Sequence, residues 1–165
     1  RLALEGAASP ADLFLTADAG MLWRAKERGV LRAISDDAVL ARAPAQFRDP
    51  EGEWVGLSKR ARVIIYNKEA GAPAGLDAYE DLADPSLRGA ICVRSSTNVY
   101  NQSLLAAIIA HQGRAAALQW AKGVVANFAR EPEGNDTAQI EATAAGLCRI
   151  AVVNTYYVAR YAGTG

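Results

Sequence analysis

The sequence is short of several features that mark common functional classes. None of its apolar runs approaches the roughly 20 residues that a membrane-spanning helix needs. Lysine plus arginine (18) equal aspartate plus glutamate (18), so no overall field draws the chain to nucleic acid or to an anionic membrane. There is one histidine, no Gly-x-Ser-x-Gly motif and no glycine-rich phosphate loop after a strand. We therefore predict that the protein is not an enzyme and does not bind nucleic acid.

Cysteine is also scarce, with Cys92 and Cys148 as its two instances. Each opens an apolar run typical of a strand, at residues 92–93 and 148–153. Neighbouring strands can bring two Cα atoms within the roughly 4.4–6.8 Å that a disulfide needs. Two small buried thiols are the usual outcome in a reducing compartment, so both alternatives stay open. We expect both cysteines on strands of one sheet, bonded if the chain matures in the periplasm.

What the sequence does contain is an alternation of strand-like and helix-like segments. Its 165 residues can bury the core of one ordinary domain or of two small lobes. The alternation predicts an α/β fold with a parallel, doubly wound sheet, in which ligands bind beyond the carboxyl ends of the strands. The predicted strands are residues 12–16, 62–66, 90–93 and 150–153, and the predicted helices are 18–28, 36–41, 79–82, 104–109, 114–126 and 134–145.

One extended segment is long for a single strand of a small domain. Residues 54–66 have an extended pattern, and a glycine- and proline-rich stretch follows at residues 71–75. We predict that residues 59–66 cross between two lobes. Residues 1–58 would then form part of a first lobe and residues 67–165 the second.

Tyrosine is the residue type whose placement indicates chemistry. Tyr100, Tyr156 and Tyr157 are three of the six tyrosines, and all follow predicted strands at the start of helices. A phenolate is a hard anionic oxygen donor, and a trivalent cation helps a phenol of pKa near 10 to ionise. Several tyrosines therefore suit ferric iron. Spacing alone favours the alternative, amphipathic rings packed at the edge of a core.

Five stretches carry a family resemblance. "ARVIIYNK", "YEDLADPSLRG", "CVRSSTNVYNQSL", "VANFAREPEGNDTAQI" and "VNTYYVAR" together resemble the periplasmic ferric-iron-binding proteins of ATP-binding-cassette importers, in the branch whose iron site is rich in tyrosine. The resemblance covers residues 10–160. It implies an α/β, periplasmic-binding-protein-like (type II) fold, with two lobes whose parallel-type sheets are joined by crossing strands. Family members are longer and carry a further His or Tyr ligand in the first lobe, so we expect a truncated chain.

The resemblance also implies roles for individual residues. Tyr100, Tyr156 and Tyr157 match the tyrosines that bind Fe(III), whereas the single histidine, His111, matches no ligand. Arg160 follows the tyrosine pair by one helical turn, as a cation that tunes phenolate charge or as an ordinary surface arginine. Four further residues match positions where some relatives bind a synergistic anion such as carbonate, although we expect at least one of them simply to cap a helix. They are Ser95, Ser96, Thr97 and Asn154.

The function that the resemblance implies is the binding of ferric iron in the periplasm. The protein would deliver iron to the permease and ATPase of an ABC-type inner-membrane importer, and would meet the membrane only through the permease. One alternative is the same fold holding an anion or a small organic solute at residues 95–97. Another is an enzyme that uses Tyr156 or Tyr157 as acid or base, which would need substrate turnover.

Overall fold

A computed structural model describes residues 2–161 of the chain. The chain divides into two compact units, Arg1–Lys59 and Arg60–Gly165. No helix within residues 2–161 is both long enough and apolar enough to cross a membrane.

The first unit consists of short helices joined by irregular segments. Its helices are α1 (Leu2–Glu5), α2 (Ala19–Glu27) and α3 (Asp37–Ala41), with 3-10 turns at Gly6–Ala8 and Ala45–Phe47. The starts of α2 and α3 follow from aspartate caps, because Asp18 accepts a hydrogen bond from the Gly20 amide and Asp36 from the Ala38 amide, each at 2.8 Å. The predicted helices at residues 18–28 and 36–41 are confirmed.

The strand predicted at residues 12–16 is wrong. This segment is irregular, and Leu13 and Leu15 are 91% and 80% exposed. A short apolar run forms a strand only when a neighbour pairs with its backbone and covers one face. Within residues 2–59, β-type backbone pairing is limited to one antiparallel bridge, between Arg48 and Val55.

The second unit is built on a three-stranded sheet in the order β1-β3-β2. The central strand β3 (Ile150–Asn154) is buried along its whole length, which suits its apolar sequence. It pairs in parallel with β2 (Ile91–Cys92), as predicted, and antiparallel with β1 (Arg62–Tyr66). The sheet is therefore mixed, and the expectation that all its strands run parallel is wrong for β1.

Helices and 3-10 turns enclose this sheet. The long α4 (Val99–Ala126) is interrupted at Gly113, whose φ of 82° and ψ of 163° are accessible to glycine, so it consists of two helical segments as predicted. After it come α5 (Asp136–Ala144) and α6 (Thr155–Ala159). Before β2 lie 3-10 turns at Glu80–Ala83 and Pro85–Leu87.

Alternate residues of β3 belong to two apolar clusters. Ile150 and Val152 belong to one cluster, and Ala151 and Val153 to the other, as the two faces of a strand require. The first cluster also contains Leu82, Leu87, Ile91 and Val124, and the second contains Cys92, Ala142 and Cys148.

Cys92 and Cys148 form a disulfide with a Cα–Cα distance of 5.8 Å, and both are buried. Cys92 lies on β2, as expected. Cys148 lies two residues before β3 rather than on it. The register explains this difference, because the residue of β3 opposite Cys92 is Ala151.

The boundary between the two units falls between Lys59 and Arg60, so β1 belongs to the second unit. Of the long extended segment, residues 62–66 form the strand. That residues 59–66 cross between lobes remains a prediction.

Candidate metal centre

The three candidate tyrosines lie beyond the carboxyl ends of β2 and β3. Tyr100 is in the first turn of α4, and Tyr156 and Tyr157 are in α6. Asn98 caps α4 by accepting a hydrogen bond from the Tyr100 amide at 2.9 Å, which fixes the start of the helix. Because β2 and β3 run parallel, the residues that follow them meet at one edge of the sheet.

These residues form a tyrosine cluster (Tyr100, Tyr156 and Tyr157). The phenol oxygens of Tyr100 and Tyr156 lie 3.2 Å apart. The rings of Tyr156 and Tyr157 have centroids 4.4 Å apart and are tilted by 34°. Tyr156 keeps 38% of its surface exposed, so the cluster is open to solvent. The structure thus brings together all three tyrosines that the sequence singled out.

Hydrogen bonds and burial shift the pKa values of the three phenols in different directions. The hydrogen bond to Tyr156, together with burial, raises the pKa of Tyr100 to about 12. Burial alone would raise the pKa of Tyr156, but its hydrogen bonds with Tyr100 and Asn154 outweigh burial and lower it. The neighbouring Tyr156 phenol, followed by burial, raises the pKa of Tyr157. Either phenol of this pair can donate the hydrogen bond between them.

Arginines surround the cluster. The guanidinium carbon of Arg60 lies 4.4 Å from the centroid of the Tyr100 ring, that of Arg94 5.2 Å and that of Arg62 5.9 Å. The guanidinium carbon of Arg160 lies 5.4 Å from the centroid of the Tyr157 ring. All four are within the roughly 6 Å over which a cation attracts an aromatic face. Positive charge at these positions also stabilises phenolates.

Sequence reasoning named Arg160 but missed Arg60, Arg62 and Arg94. A signal was present for two of them, because Arg62 opens an apolar strand and Arg94 directly follows the predicted strand at residues 90–93. A charged residue at the end of a buried strand needs a partner, and that requirement could have marked both.

The partner is Asp136, the first residue of α5, which is fully buried. Its carboxylate accepts hydrogen bonds from Arg62 at 2.7 Å and from Arg94 at 3.2 Å. It also accepts from the backbone amide of Asn154 at 2.8 Å. Asp136 does not cap α5, because the capping side chain is Asn135, which accepts from the Ala138 amide.

Three of the residues matched to an anion site, at positions 95–97, form hydrogen bonds with one another and with Gln102. The hydroxyls of Ser95 and Thr97 lie 2.9 Å apart, and the carbonyls of Ser96 and Thr97 accept hydrogen bonds from Gln102. Asn98, rather than any of residues 95–97, caps α4.

Asn154 occupies the N-cap position of α6, but among the described residues its side chain makes no capping hydrogen bond. Its Oδ1 instead accepts from Arg62 at 3.2 Å, and its Nδ2 lies 3.5 Å from the phenol oxygen of Tyr156. Asn154 therefore contacts the tyrosine cluster directly.

The donor types available limit which metal this centre can hold. Within residues 2–161, no group of three or more histidine, cysteine, aspartate or glutamate side chains is placed to hold a metal ion. His111 is exposed and lies close to the break in α4. Phenol oxygens are hard donors, so the tyrosine cluster suits a hard, highly charged cation.

Comparison with known proteins identifies the family. A family model described as a bacterial extracellular solute-binding protein matches residues 8–162. The chain belongs to this family. This solute-binding protein is 49% identical over 160 residues to iron uptake protein A1 of Synechocystis sp., covering 97% of this chain and 44% of that protein. It is 33% identical over 158 residues to the Fe(3+)-binding periplasmic protein of Serratia marcescens, covering 95% of this chain and 46% of that protein.

Solved structures of similar proteins agree with the fold. A Trichodesmium protein (IdiA, FutA) in complex with iron and citrate superposes with a TM-score of 0.92 and 54% identity, over 98% of this chain and 51% of that one. The ferric binding protein of Campylobacter jejuni superposes with a TM-score of 0.93 and 43% identity, over 98% and 52% of the two chains. The solute-binding protein spans about half the length of these relatives. The predicted family and the α/β, type II periplasmic-binding-protein-like fold class are confirmed.

Proposed function

We propose that this protein binds ferric iron through Tyr100, Tyr156 and Tyr157. The observation that carries the proposal is the 3.2 Å distance between the phenol oxygens of Tyr100 and Tyr156, which lets both coordinate the same cation. Tyr157 packs against Tyr156 and supplies a third phenol at the same edge of the sheet. Two phenolates at this distance repel each other unless a cation neutralises them.

The charges near the site favour a trivalent over a divalent ion. Three phenolates together neutralise a trivalent cation and would leave a divalent one with excess negative charge. Around them, Arg62 and Arg94 share the single carboxylate of Asp136, which leaves one net positive charge beneath the cluster. Arg60 and Arg160 add further positive charge at its rim. Such surroundings stabilise phenolates, and phenolates in turn hold ferric iron.

The relatives support the same cargo. The proteins of Serratia marcescens and Campylobacter jejuni are named for binding ferric iron, and the Trichodesmium structure contains iron and citrate. We extend this cargo to the present chain, together with a synergistic anion such as carbonate. Ser95, Ser96, Thr97 and Asn154 are our candidates for contacting that anion.

For location and partners we propose the periplasm and an ABC-type importer. The family description is extracellular, one relative is named periplasmic, and the Cys92–Cys148 disulfide suits an oxidising compartment. The protein would deliver iron to the permease and ATPase, meet the membrane through the permease alone, and perform no catalysis.

A second candidate function is the binding of an anion or small organic solute without iron. The four arginines around the tyrosine rings favour it, because guanidinium groups bind carboxylates and phosphates well. Colour separates the two candidates, since iron–phenolate complexes absorb visible light and an arginine–anion complex does not.

The decisive experiment titrates the 165-residue chain with ferric nitrilotriacetate and follows visible absorbance. We expect a phenolate-to-iron band in the parent protein and weaker iron binding in Tyr100→Phe, Tyr156→Phe and Tyr157→Phe. Tyr66→Phe is the matched control, because Tyr66 is a half-exposed tyrosine on β1. If all three cluster variants bind iron as tightly as the parent, with the same band, the proposal is wrong.

A further inference from the structure

The side chain of Arg62 contacts both chain segments that carry the tyrosine cluster. One terminal nitrogen, Nη2, donates to Oδ1 of Asn101 at 3.0 Å, and Asn101 is the residue after Tyr100. The other, Nη1, donates to Oδ1 of Asn154 at 3.2 Å, and Asn154 lies two residues before Tyr156. A single guanidinium therefore connects the start of α4 to the end of β3.

Two further hydrogen bonds hold this guanidinium in place. Nη1 also donates to the carboxylate of Asp136 at 2.7 Å, and Nη2 to the carbonyl of Val152 at 2.7 Å. The Arg62 side chain is 8% exposed and the Asp136 side chain is fully buried. A planar guanidinium whose two terminal nitrogens donate to four acceptors has little freedom to rotate.

Asp136 and Asn101 extend the connection beyond Arg62. Asp136 accepts from the Asn154 amide, so it holds the backbone that leads into Tyr156 as well as the arginine. Asn101 donates from Nδ2 to the Arg94 carbonyl at 2.7 Å, which holds the chain between β2 and Tyr100. Arg62, Asn101, Asp136 and Asn154 together are named the Arg62 network.

We infer that Arg62, with its buried counter-ion Asp136, is a positioning residue that sets the separation of the Tyr100 and Tyr156 phenol oxygens. The inference rests on the proposed function in one respect, that this separation matters for ferric iron. Arg62 does not itself need to touch iron, since it acts through Asn101 and Asn154.

Stability alone is a weak reason for such a network. Removing two opposite charges from water costs several kcal/mol per ion, and their attraction often does no more than offset that cost. The β1–β3 pairing and the apolar clusters already hold the sheet together. What the guanidinium adds is a fixed distance between two segments, and metal ligands need positions correct to within about 0.5 Å.

Two conservative substitutions break hydrogen bonds of the Arg62 network while keeping side chains of similar size. Arg62→Lys keeps the positive charge but offers one ammonium group in place of a planar fork with four bonded acceptors. Asp136→Asn keeps the shape and removes the charge. Arg130→Lys is the matched control, because Arg130 forms an ion pair with Glu133 at 2.7 Å and a hydrogen bond to Gln139 in the same unit.

The first measurement needs no iron. Photo-oxidation of the metal-free 165-residue chain with a ruthenium complex and persulfate couples tyrosine rings that lie close together. Trypsin cuts after Arg94, Arg114, Arg149 and Arg160, so a bond from Tyr100 to Tyr156 or Tyr157 joins peptide 95–114 to peptide 150–160, and fragment ions assign it to one of the two. A Tyr156–Tyr157 bond stays within peptide 150–160, and Tyr100→Phe gives the background because peptide 95–114 has no other tyrosine.

The second measurement is the affinity for ferric iron, taken by competition with nitrilotriacetate and paired with thermal unfolding. We expect Arg62→Lys and Asp136→Asn to unfold cooperatively, which shows that they are folded. Their yield of joined peptides should fall to the background given by Tyr100→Phe. They should also bind iron at least about tenfold more weakly, as is usual when a metal ligand loses a hydrogen-bond partner. Arg130→Lys should keep the joined peptides and the iron affinity of the parent.

The outcomes separate this inference from the proposed function. Folded variants with a lower Tm but unchanged coupling and unchanged affinity would show a structural role alone and would overturn the inference. If the variants lose the tyrosine cross-link and the parent binds no iron, the positioning role of Arg62 is supported and the proposed binding of ferric iron is refuted. If both variants fail to fold, Asn101→Ala decides, because it removes one arm of the network and leaves the Arg62–Asp136 pair in place. Unchanged coupling in that variant would likewise overturn the inference.

Discussion

The phenol oxygens of Tyr100 and Tyr156 lie 3.2 Å apart although 56 residues separate them in the sequence. The disulfide between Cys92 and Cys148 spans the same separation of 56 residues. Each tyrosine therefore follows one of the bonded cysteines at an equal spacing. Because β2 and β3 run parallel, equal spacing from the disulfide brings both tyrosines to the same edge of the sheet.

We predict that removing the disulfide destabilises the protein substantially. In Cys92→Ala/Cys148→Ala the unfolded chain regains the freedom of a long closed loop, and the free energy of unfolding should fall by about 2–4 kcal/mol. Urea unfolding of the parent and the double variant measures this difference. Reductant should destabilise the parent and leave the double variant unchanged. Two reactive thiols in unreduced, folded parent protein would contradict the bond.

We predict that the phenols of the metal-free cluster ionise in a fixed order, with Tyr156 before Tyr100. Hydrogen bonding lowers the pKa of Tyr156, and the same contact raises the pKa of Tyr100 to about 12. In Tyr100→Phe the pKa of Tyr156 should rise, because the donor that stabilises its phenolate is gone. Alkaline titration of phenolate absorbance measures this rise. An unchanged titration curve for Tyr156 would show that the two phenols do not interact.

The same shift has a consequence for stability at high pH. The pKa of Tyr100 in the folded state exceeds the value near 10 of an unfolded chain, so its contribution to stability is complete below about pH 10. That contribution should be lost as the pH rises towards 12, because the unfolded chain then releases the proton more easily. Unfolding midpoints of the parent and Tyr100→Phe should therefore converge over this range. Curves that stay parallel would refute the prediction.

Strong local patterns made much of the second unit predictable from the sequence. The apolar run of β3, the asparagine caps of α4 and α5 and the glycine that breaks α4 each determine structure within a few residues. The convergence of Tyr100 and Tyr156 followed from one further rule, that parallel strands end at the same edge of a sheet.

The Arg62 network could not be found in this way. Arg62 and Asp136 are 74 residues apart, and in the sequence each has an ordinary explanation, as the first residue of a strand and as an acidic residue in the first turn of a helix. Their pairing depends on β1 lying antiparallel beside β3, which the sequence analysis expected to be parallel. The incorrect strand at residues 12–16 has the same origin, since an apolar run does not reveal whether a partner strand exists.

We predict that Gly123→Ala destabilises the protein by about 1–3 kcal/mol, as overpacking does. A Cβ atom at Gly123 would lie 2.7 Å from the Cβ of Ala83 and 2.9 Å from its carbonyl oxygen, so α4 could no longer pack closely against the Glu80–Ala83 turn. Thermal unfolding measures the loss. Lys122→Ala, at an exposed neighbouring position of the same helix, is the control and should change the Tm little. Equal stability of Gly123→Ala and the parent would contradict this contact.

The final prediction is that binding of ferric iron releases protons, so that affinity falls steeply as the pH drops. With a pKa of about 12, Tyr100 keeps its proton at neutral pH, and the pKa of Tyr157 is raised above its ordinary value near 10. Both must lose a proton to coordinate as phenolates, so at least two protons leave per iron and the affinity should change by about 100-fold per pH unit.

A pH indicator in weakly buffered solution measures this release directly, and competition with nitrilotriacetate at several pH values measures the slope, after correction for the chelator's own protonation. Tyr100→Phe should release one proton fewer and show a shallower slope, because Phe keeps the ring and removes the ionisable oxygen. Tyr66→Phe should match the parent in both measurements. Iron binding that releases fewer than two protons in the parent, or that releases the same number in Tyr100→Phe, would show that these phenols do not coordinate iron.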